Sequence, residues 1–242
     1  MLTDFLSSIR QKIPHQIGRL YSKLMPIQCI LCGGDHAEQI ICTQCCTELP
    51  SLGNVCPRCA SPLKVSSLCG NCLTHPPVQT VTISLYPYLP PIDRLISDMK
   101  YHNTLYLTNF FAQQLCDKIS DRPLPKMLIP IPLHPSRLQQ RGYNQSWEIA
   151  RLLAHKLSIP VRHDVLKRVR NTLPQASLPF SKRKQNLSQA FALGNVTVPN
   201  HVALIDDVVT TGHTANVAGK VLQKAGVDHI ELWTIARTIR HD

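Results

Sequence analysis

The sequence predicts an α/β fold in which helices flank a parallel sheet, preceded by a small cysteine-rich module. Apolar, strand-like segments alternate with helical patterns after residue 78, an order that is typical of parallel sheets. Eight of the ten cysteines form four Cys-x-x-Cys pairs between residues 29 and 72. A chain of 242 residues is long enough for one mid-sized domain and a second, small one.

Residues 1–26 carry apolar side chains at helical spacing, interrupted by Pro14. This pattern predicts one or two short amphipathic helices that pack on the body of the protein or on a partner. The segment lacks a basic start followed by an unbroken apolar stretch, and no run of eighteen apolar residues occurs in the chain. We therefore expect no secretory signal, no membrane span and a cytoplasmic protein.

The four cysteine pairs have the spacing of zinc knuckles, in which a tight turn directs two thiolates at one ion. Two knuckles complete the tetrahedral set of four sulfur ligands that structural zinc prefers. Sequential pairing predicts two structural zinc ions, one held by Cys29, Cys32, Cys42 and Cys45, and the other by Cys56, Cys59, Cys69 and Cys72.

Other interpretations of the cysteines stay open at this point. The spacing also permits a cross-braced arrangement, and an iron–sulfur cluster would use similar ligands. Cys46 could replace Cys45, although the two-residue spacing favours Cys45. Cys116 lies in a helical pattern and is predicted to be a core residue.

The segment His75-Pro-Pro-Val marks a boundary, so we expect three parts: a helical segment 1–26, a double zinc ribbon 27–77 and an α/β domain 78–242. Strands are predicted near 81–88, 127–132, 202–205 and 230–236. Helices are predicted from about 90, over 105–119 and 147–157, and from about 213 to 224.

The most informative segment runs from Val202 to Thr214. Four apolar residues predict a buried parallel strand, and two carboxylates, Asp206 and Asp207, follow where it is expected to end. The turn Thr210-Thr211-Gly212-His213-Thr214 then leads into a helix. Backbone N–H groups at a helix start favour an oxyanion, while carboxylates accept hydrogen bonds from sugar hydroxyls and attract a divalent cation. The pattern therefore favours a sugar phosphate over an ordinary strand–turn–helix.

This segment resembles the phosphoribosyl pyrophosphate (PRPP) signature of type I phosphoribosyltransferases. The resemblance implies that Asp206 and Asp207 hold the ribose hydroxyls and that the turn Thr210, Thr211, Gly212, His213 and Thr214 wraps the 5-phosphate. It also implies that Val208 and Val209 belong to the PRPP-binding segment. It also implies Mg²⁺ bound with PRPP. His213 stands where the family usually has a small residue, and we expect its side chain to point to solvent.

Two further segments are predicted to complete a phosphate site. Residues 129–145 are predicted to form a strand end and a donor-rich loop, in which Arg137 and Arg141 suit pyrophosphate oxygens. Residues 168–186 are predicted to form a long basic lid that includes Arg183. Lys100 is a further candidate phosphate contact.

Positive charge is concentrated in one part of the chain. The formal net charge is +11, and residues 141–190 hold ten Lys and Arg against two acids. A solvated basic face would have this composition, but beside a phosphate-binding motif it favours an anionic partner such as pyrophosphate or nucleic acid.

Taken together, the motifs resemble the ComF/GntX family, which joins an N-terminal double zinc ribbon to a type I phosphoribosyltransferase-like domain. The resemblance rests on the four knuckles, Met99-Lys-Tyr, Arg141-Gly-Tyr-Asn-Gln, residues 183–186 with Ala190-Phe191, and the Asp-Asp-Val-Val-Thr-Thr-Gly signature. It implies a role in natural transformation, with single-stranded DNA and a DNA-uptake helicase or other competence protein as partners. The alternative is an active phosphoribosyltransferase with an unidentified acceptor and no DNA role.

Overall fold

A computed structural model describes residues 27–36, 39–101, 104–169 and 190–239. The predicted helical segment 1–26 and most of the predicted lid, including Arg183, lie outside these ranges. The chain forms two compact units, Met1–Leu49 and Pro50–Asp242. In the described residues, no helix is long and apolar enough to cross a membrane.

The described residues of the first unit form two short strands and one short helix around four cysteines. Strands β1 (Ile27–Gln28) and β2 (Asp35–His36) pair antiparallel. Helix α1 (Thr43–Thr47) follows, and its N-cap is Cys42. Helix α2 (Gly70–Thr74) is the corresponding element of the second cysteine set and belongs to the second unit.

The second unit is built on a four-stranded parallel sheet, so the predicted α/β architecture is confirmed. Its spatial order is β3–β8–β7–β4, and its strands are β3 (Val81–Pro87), β4 (Leu128–Pro130), β7 (His201–Val209) and β8 (His229–Arg237). Strand β7 is longer than predicted, because pairing with β8 continues through the acidic pair. Strands β5 (Leu166–Arg168) and β6 (Phe191–Leu193) form a separate antiparallel ribbon.

Helices cover both faces of the sheet. In the part of the second unit that the structure describes, the helices after α2 are α3 (Ile92–Tyr101), α4 (Leu105–Ile119), α5 (Pro135–Arg141), α6 (Gln145–Leu157) and α7 (His213–Lys224). Alternate residues of β7 and β8, including Val202, Leu204 and Leu232, share a face and form an apolar core with α7. Helices α4 and α6 contribute no residue to this core, pack against each other and against the strands, and cover the other face.

Helix α5 was not predicted, because its seven residues fall in the segment expected to be a loop. Pro135 lies in its first turn, where a missing N–H costs nothing. The His134 ring accepts a hydrogen bond from the N–H of Ser136, and Gly142 ends the helix at φ 77°. Local capping therefore turns this segment into a helix.

The second cysteine set is hydrogen-bonded to the edge strand of the sheet. Thr82 of β3 donates its N–H to the carbonyl of Pro57 (2.8 Å) and its hydroxyl to the carbonyl of Arg58 (2.6 Å). Arg237, at the end of β8, donates to the hydroxyl of Ser61 at 3.0 Å. The segment that carries the second cysteine set, called the second ribbon below, thus covers part of the β3 edge of the sheet. Without it, this edge would present unpaired N–H groups.

Candidate functional site

The thiols gather in two groups of four. In each group the sulfur atoms lie within 4.8 Å of one another, and the members match the sequential pairing: Cys29, Cys32, Cys42 and Cys45; Cys56, Cys59, Cys69 and Cys72. The sulfurs of Cys32 and Cys42 are 3.9 Å apart, and those of Cys59 and Cys69 are 3.6 Å apart. Tetrahedral zinc with Zn–S bonds of about 2.3 Å requires about 3.8 Å between sulfurs. Both groups therefore fit a structural zinc ion.

Backbone N–H groups prepare one thiol in each group, that of Cys29 or Cys56, to ionise. Cys42 donates its N–H to the sulfur of Cys29, and Cys69 donates to the sulfur of Cys56. Burial opposes ionisation of Cys29, but N–H groups from the knuckle outweigh it and lower the pKa of this thiol to about 6. In Cys56, burial again opposes ionisation, but hydrogen bonds from backbone N–H groups outweigh it and lower the pKa of the thiol to about 7. Four thiolates at this separation repel one another, and a divalent cation removes the repulsion.

Cys46 belongs to neither group, although it adjoins Cys45 in α1. Residue 45 faces the other three thiols, as the two-residue spacing predicts. Cys116 is partly buried in α4 and is also outside both groups. Burial raises the pKa of its thiol, which suits an unreactive packing residue.

The acidic pair lies near the carboxyl end of β7, and its two carboxylates have different partners. Asp206 Oδ1 accepts hydrogen bonds from the hydroxyl of Ser146 and from the N–H of Asp207, both at 3.0 Å. Asp207 Oδ2 lies 2.7 Å from Lys100 Nζ. Ligands of parallel sheets bind beyond the carboxyl ends of the strands, where this pair is found.

The burial of Asp206 opposes the ionisation of its carboxyl. Burial, followed by the neighbouring charge of Asp207, raises the pKa of Asp206 to about 7, although Ser146 and Lys100 act in the opposite direction. Burial alone would lower the pKa of Lys100, but the charge of Asp207 and its hydrogen bond raise it. Lys100 therefore keeps its charge and neutralises Asp207.

The predicted phosphate turn lines a small pocket beside the acidic pair. Its lining includes Asp206, Val208 and Val209 of β7, and four turn residues: Thr210, Gly212, His213 and Thr214. Gly212 is the N-cap of α7 at φ 74° and makes no side-chain cap hydrogen bond. In the first helical turn, the N–H of His213 donates to the hydroxyl oxygen of Thr211 at 3.3 Å. Thr210 and Thr211 are exposed, with hydroxyls available to a ligand.

The side chain of His213 is half-buried, whereas we expected it to point to solvent. It begins α7 and lines the pocket. The half-buried ring lies at the pocket, and the role of His213 as a phosphate contact stays a prediction.

Basic residues lie near the acidic pair. Arg141 donates to Gln145 Oε1 at 3.2 Å and lies over the ring of Tyr101, 5.3 Å from its centroid. Gln145 in turn donates to the Lys100 carbonyl at 3.4 Å. Arg137 and Asp206 are both close enough to Arg168 to act on its pKa, which burial and the charge of Arg137 lower and the charge of Asp206 raises.

The structure therefore brings Asp206, Asp207, Lys100 and the turn together, with Arg141 linked to them through Gln145. Lys100, a predicted phosphate contact, forms an ion pair with Asp207. Ser146 was missed as a partner of Asp206; the signal was the polar start of α6, where Asn144 caps the helix and Gln145 and Ser146 are both buried. Arg183 lies outside the described residues.

Comparison with known proteins gives the following relatives. The family model for the double zinc ribbon domain matches residues 20–73. The chain is 35% identical over 222 residues to competence protein F of Haemophilus influenzae, covering 87% of this chain and 96% of that protein. It is 32% identical over 206 residues to DNA utilization protein YhgH of Salmonella typhi, covering 82% and 91%. It is 25% identical over 233 residues to competence protein ComFC of Bacillus subtilis, covering 87% and 95%.

Among solved structures, the chain matches a purine phosphoribosyltransferase from Pyrococcus horikoshii. The identity is 16%, the match covers 65% of this chain and 87% of the other, and the TM-score is 0.30. No conclusion is based on a match with so low a TM-score. The fold is described by the strand order, and the family is shown by the relatives above.

Proposed function

Because this chain belongs to the ComF/GntX family, we propose that it binds PRPP or a related ribose phosphate and assists the handling of single-stranded DNA in natural transformation. The names of its relatives, competence protein F and DNA utilization protein YhgH, support the DNA part. The main support for the ribose phosphate part is one arrangement: Asp206 and Asp207 at the end of β7, beside the hydroxyl-rich turn that begins α7.

In the proposed complex, each element of the site has one task. Asp206 and Asp207 accept hydrogen bonds from the two ribose hydroxyls, since a carboxylate is a strong acceptor. The turn donates N–H and hydroxyl groups to the 5-phosphate, at the positive end of α7. Arg137, Arg141 and Arg183 stabilise pyrophosphate, to which Mg²⁺ is bound. We also propose that the protein acts in the cytoplasm and that its functional parts are residues 1–26, 27–77 and 78–242.

Calorimetric titration of the zinc-loaded protein with Mg²⁺–PRPP tests the ribose phosphate site. We expect saturable binding that the Thr210→Val/Thr211→Val variant weakens by roughly 100-fold or more, because the variant removes two hydrogen bonds and bonds to charged groups contribute about 1.5–3 kcal/mol each. Both threonines are exposed, so the variant keeps its fold.

Thr197→Val, an exposed threonine in the loop between β6 and β7, is the matched control and should bind as wild type does. Absence of binding by the wild-type protein would contradict this part of the proposal. Release of pyrophosphate in the presence of a candidate acceptor would identify an active phosphoribosyltransferase, which is the alternative function.

An exposed aromatic residue beside the basic residues supports the DNA part. Tyr101 is 63% exposed, and the Arg141 guanidinium lies over its ring. Aromatic rings and guanidinium planes are the surfaces on which unpaired bases stack. Tyr101 also directly follows Lys100 in the chain, so a base stacked there would be close to the acidic pair.

Single-stranded DNA binding measured by fluorescence anisotropy tests this surface. We expect Tyr101→Ala to weaken binding of a labelled oligonucleotide by about 10- to 100-fold, since stacking on one aromatic contributes about 1–3 kcal/mol. Wild-type affinity should fall steeply with salt as phosphate contacts are screened. Tyr106→Ala removes another exposed tyrosine, 48% exposed on α4, and should have no effect. Equal losses in both variants would contradict the proposed stacking surface.

A further inference from the structure

Two histidines and a buried glutamate meet at the end of the sheet opposite the acidic pair. His201 begins β7 and His229 begins β8, and the two are direct partners in the strand register. Glu231 follows two residues after His229, so its side chain is on the same face. His201 and Asp206 are separated along β7 by about 17 Å of extended chain. The cluster is therefore distinct from the ribose phosphate site.

The donor atoms are spaced for one ion. His201 Nε2 lies 2.9 Å from Glu231 Oε1, and His229 Nε2 lies 3.8 Å from the same oxygen. All three donors lie within 4.8 Å of one another. A tetrahedral ion with bonds of about 2.0–2.1 Å requires about 3.3–3.4 Å between ligand atoms, and the two measured distances lie on either side of that value.

The surroundings of Glu231 leave one of its oxygens directed at the histidines. The carboxylate is only 2% exposed. Its Oε2 accepts a hydrogen bond from Trp233 Nε1 at 2.8 Å and lies 3.9 Å from the Arg122 guanidinium. Oε1 is therefore presented to His201 and His229. Such outer hydrogen bonds are what orient ligands in metal sites.

His229 is oriented as well, and the cluster is accessible from solvent. Thr80 Oγ1 lies 3.2 Å from His229 Nδ1 and 3.4 Å from Nε2. A hydrogen bond with Nδ1 would fix the tautomer in which Nε2 has a free lone pair. The side chains of His201 and His229 are 22% and 44% exposed, so an ion can enter past them.

From this geometry we propose that His201, His229 and Glu231 form a third metal site, which takes a divalent transition-metal ion, with Zn²⁺ as the natural occupant. Two imidazoles and one carboxylate are a zinc donor set that leaves a fourth position open to water. The ion joins the starts of β7 and β8. Its ligands are nitrogen and oxygen, so it differs chemically from the two thiolate sites and exchanges more readily.

Zinc titration of the full-length protein, with its two thiolate sites already filled, tests the proposal. In a Trp147→Phe background the remaining tryptophan is Trp233, whose indole contacts Glu231. We expect a saturable change in Trp233 fluorescence on adding Zn²⁺, and three zinc ions per chain by elemental analysis. His229→Gln should weaken this third binding event at least tenfold.

The control is His155→Gln, an exposed histidine on α6, which should leave zinc binding unchanged. Because His229 is 44% exposed, its replacement does not endanger folding, and circular dichroism checks this. A stoichiometry of two zinc ions with no fluorescence change would overturn the proposal, and so would wild-type affinity in His229→Gln. In either case the cluster only satisfies the buried carboxylate of Glu231.

Discussion

The Cys72→Ser variant is expected to lose one zinc ion per chain and to lower the thermal midpoint of the second unit by about 10 °C or more. Structural zinc contributes on the order of 10–16 kcal/mol of apparent binding free energy to small domains of this kind. Even a net loss of about 4 kcal/mol shifts the midpoint by roughly 8–16 °C in a unit of this size. Cys72 is 2% exposed and belongs to its group of four thiols. A serine at this position therefore takes the place of one of the four zinc ligands.

The effect extends to the sheet because the second ribbon is hydrogen-bonded to it. Thr82 of β3 is 4% exposed and donates to two ribbon carbonyls. When the ribbon unfolds, the N–H at this edge loses its partner and becomes available to other chains. We therefore expect Cys72→Ser also to aggregate on heating, which light scattering measures.

Cys116→Ser provides the matched control, since Cys116 is a partly buried cysteine outside both thiol groups. It should keep two thiolate-bound zinc ions and a midpoint close to that of the wild type. If Cys72→Ser lost its zinc but unfolded at the wild-type temperature, the ribbon would make no contribution to the stability of the sheet.

The Asp206→Asn variant is expected to be more stable than the wild type at pH 8 while losing affinity for Mg²⁺–PRPP. The pKa of Asp206 rises from 3.8 to about 7 in the folded protein, so ionisation of this carboxyl opposes folding. The cost is absent below about pH 4, where the group is protonated in both states, and grows until about pH 7. Asparagine removes the cost and keeps an oxygen that accepts from Ser146.

Allowing for partial exposure, the stabilisation is roughly 1–3 kcal/mol at pH 8, or about 3–8 °C in the thermal midpoint. Midpoints measured between pH 4.5 and pH 8 should show the two proteins converging at the acidic end. In calorimetry we expect PRPP binding to weaken by about 10- to 100-fold, because one charged acceptor for the ribose is lost.

Asp207→Asn is the matched comparison and should have the opposite effect on stability. It leaves Lys100, which is 18% exposed, without its anionic partner, and removing one partner of a largely buried pair is destabilising. Both variants should bind PRPP weakly. If Asp206→Asn destabilised the protein at pH 8 as Asp207→Asn does, burial would not be the main influence on Asp206.

Sequence patterns predicted the parts of this molecule that are encoded locally. The knuckles, the strand before Asp206 and the turn at Gly212 each depend on neighbouring residues, and the structure contains all three. The contact between Ser146 and Asp206 joins residues that are 60 positions apart in the sequence. Lys100 and Asp207 are even further apart in the sequence. Such contacts depend on which strands and helices are neighbours, which periodicity does not specify.

The histidine cluster illustrates the same limit. His201 and His229 have no shared motif, and they meet because β7 and β8 pair in a register that sets them side by side. The short helix α5 is a different case: its signals, Pro135 and Gly142, were present in the sequence but were outweighed by the polar, loop-like composition between them.

The ribbon of β5 and β6 has a practical consequence for protein engineering. Val169 donates its N–H to the carbonyl of Ala190 at 2.9 Å, so the two chain ends that flank residues 170–189 are already side by side. A linker of a few residues is therefore long enough to connect them. Its loop-closure entropy cost is lower than that of a longer connection. Residues 170–189 could therefore be replaced by a short linker, or by the corresponding segment of a relative, joined at Val169 and Ala190.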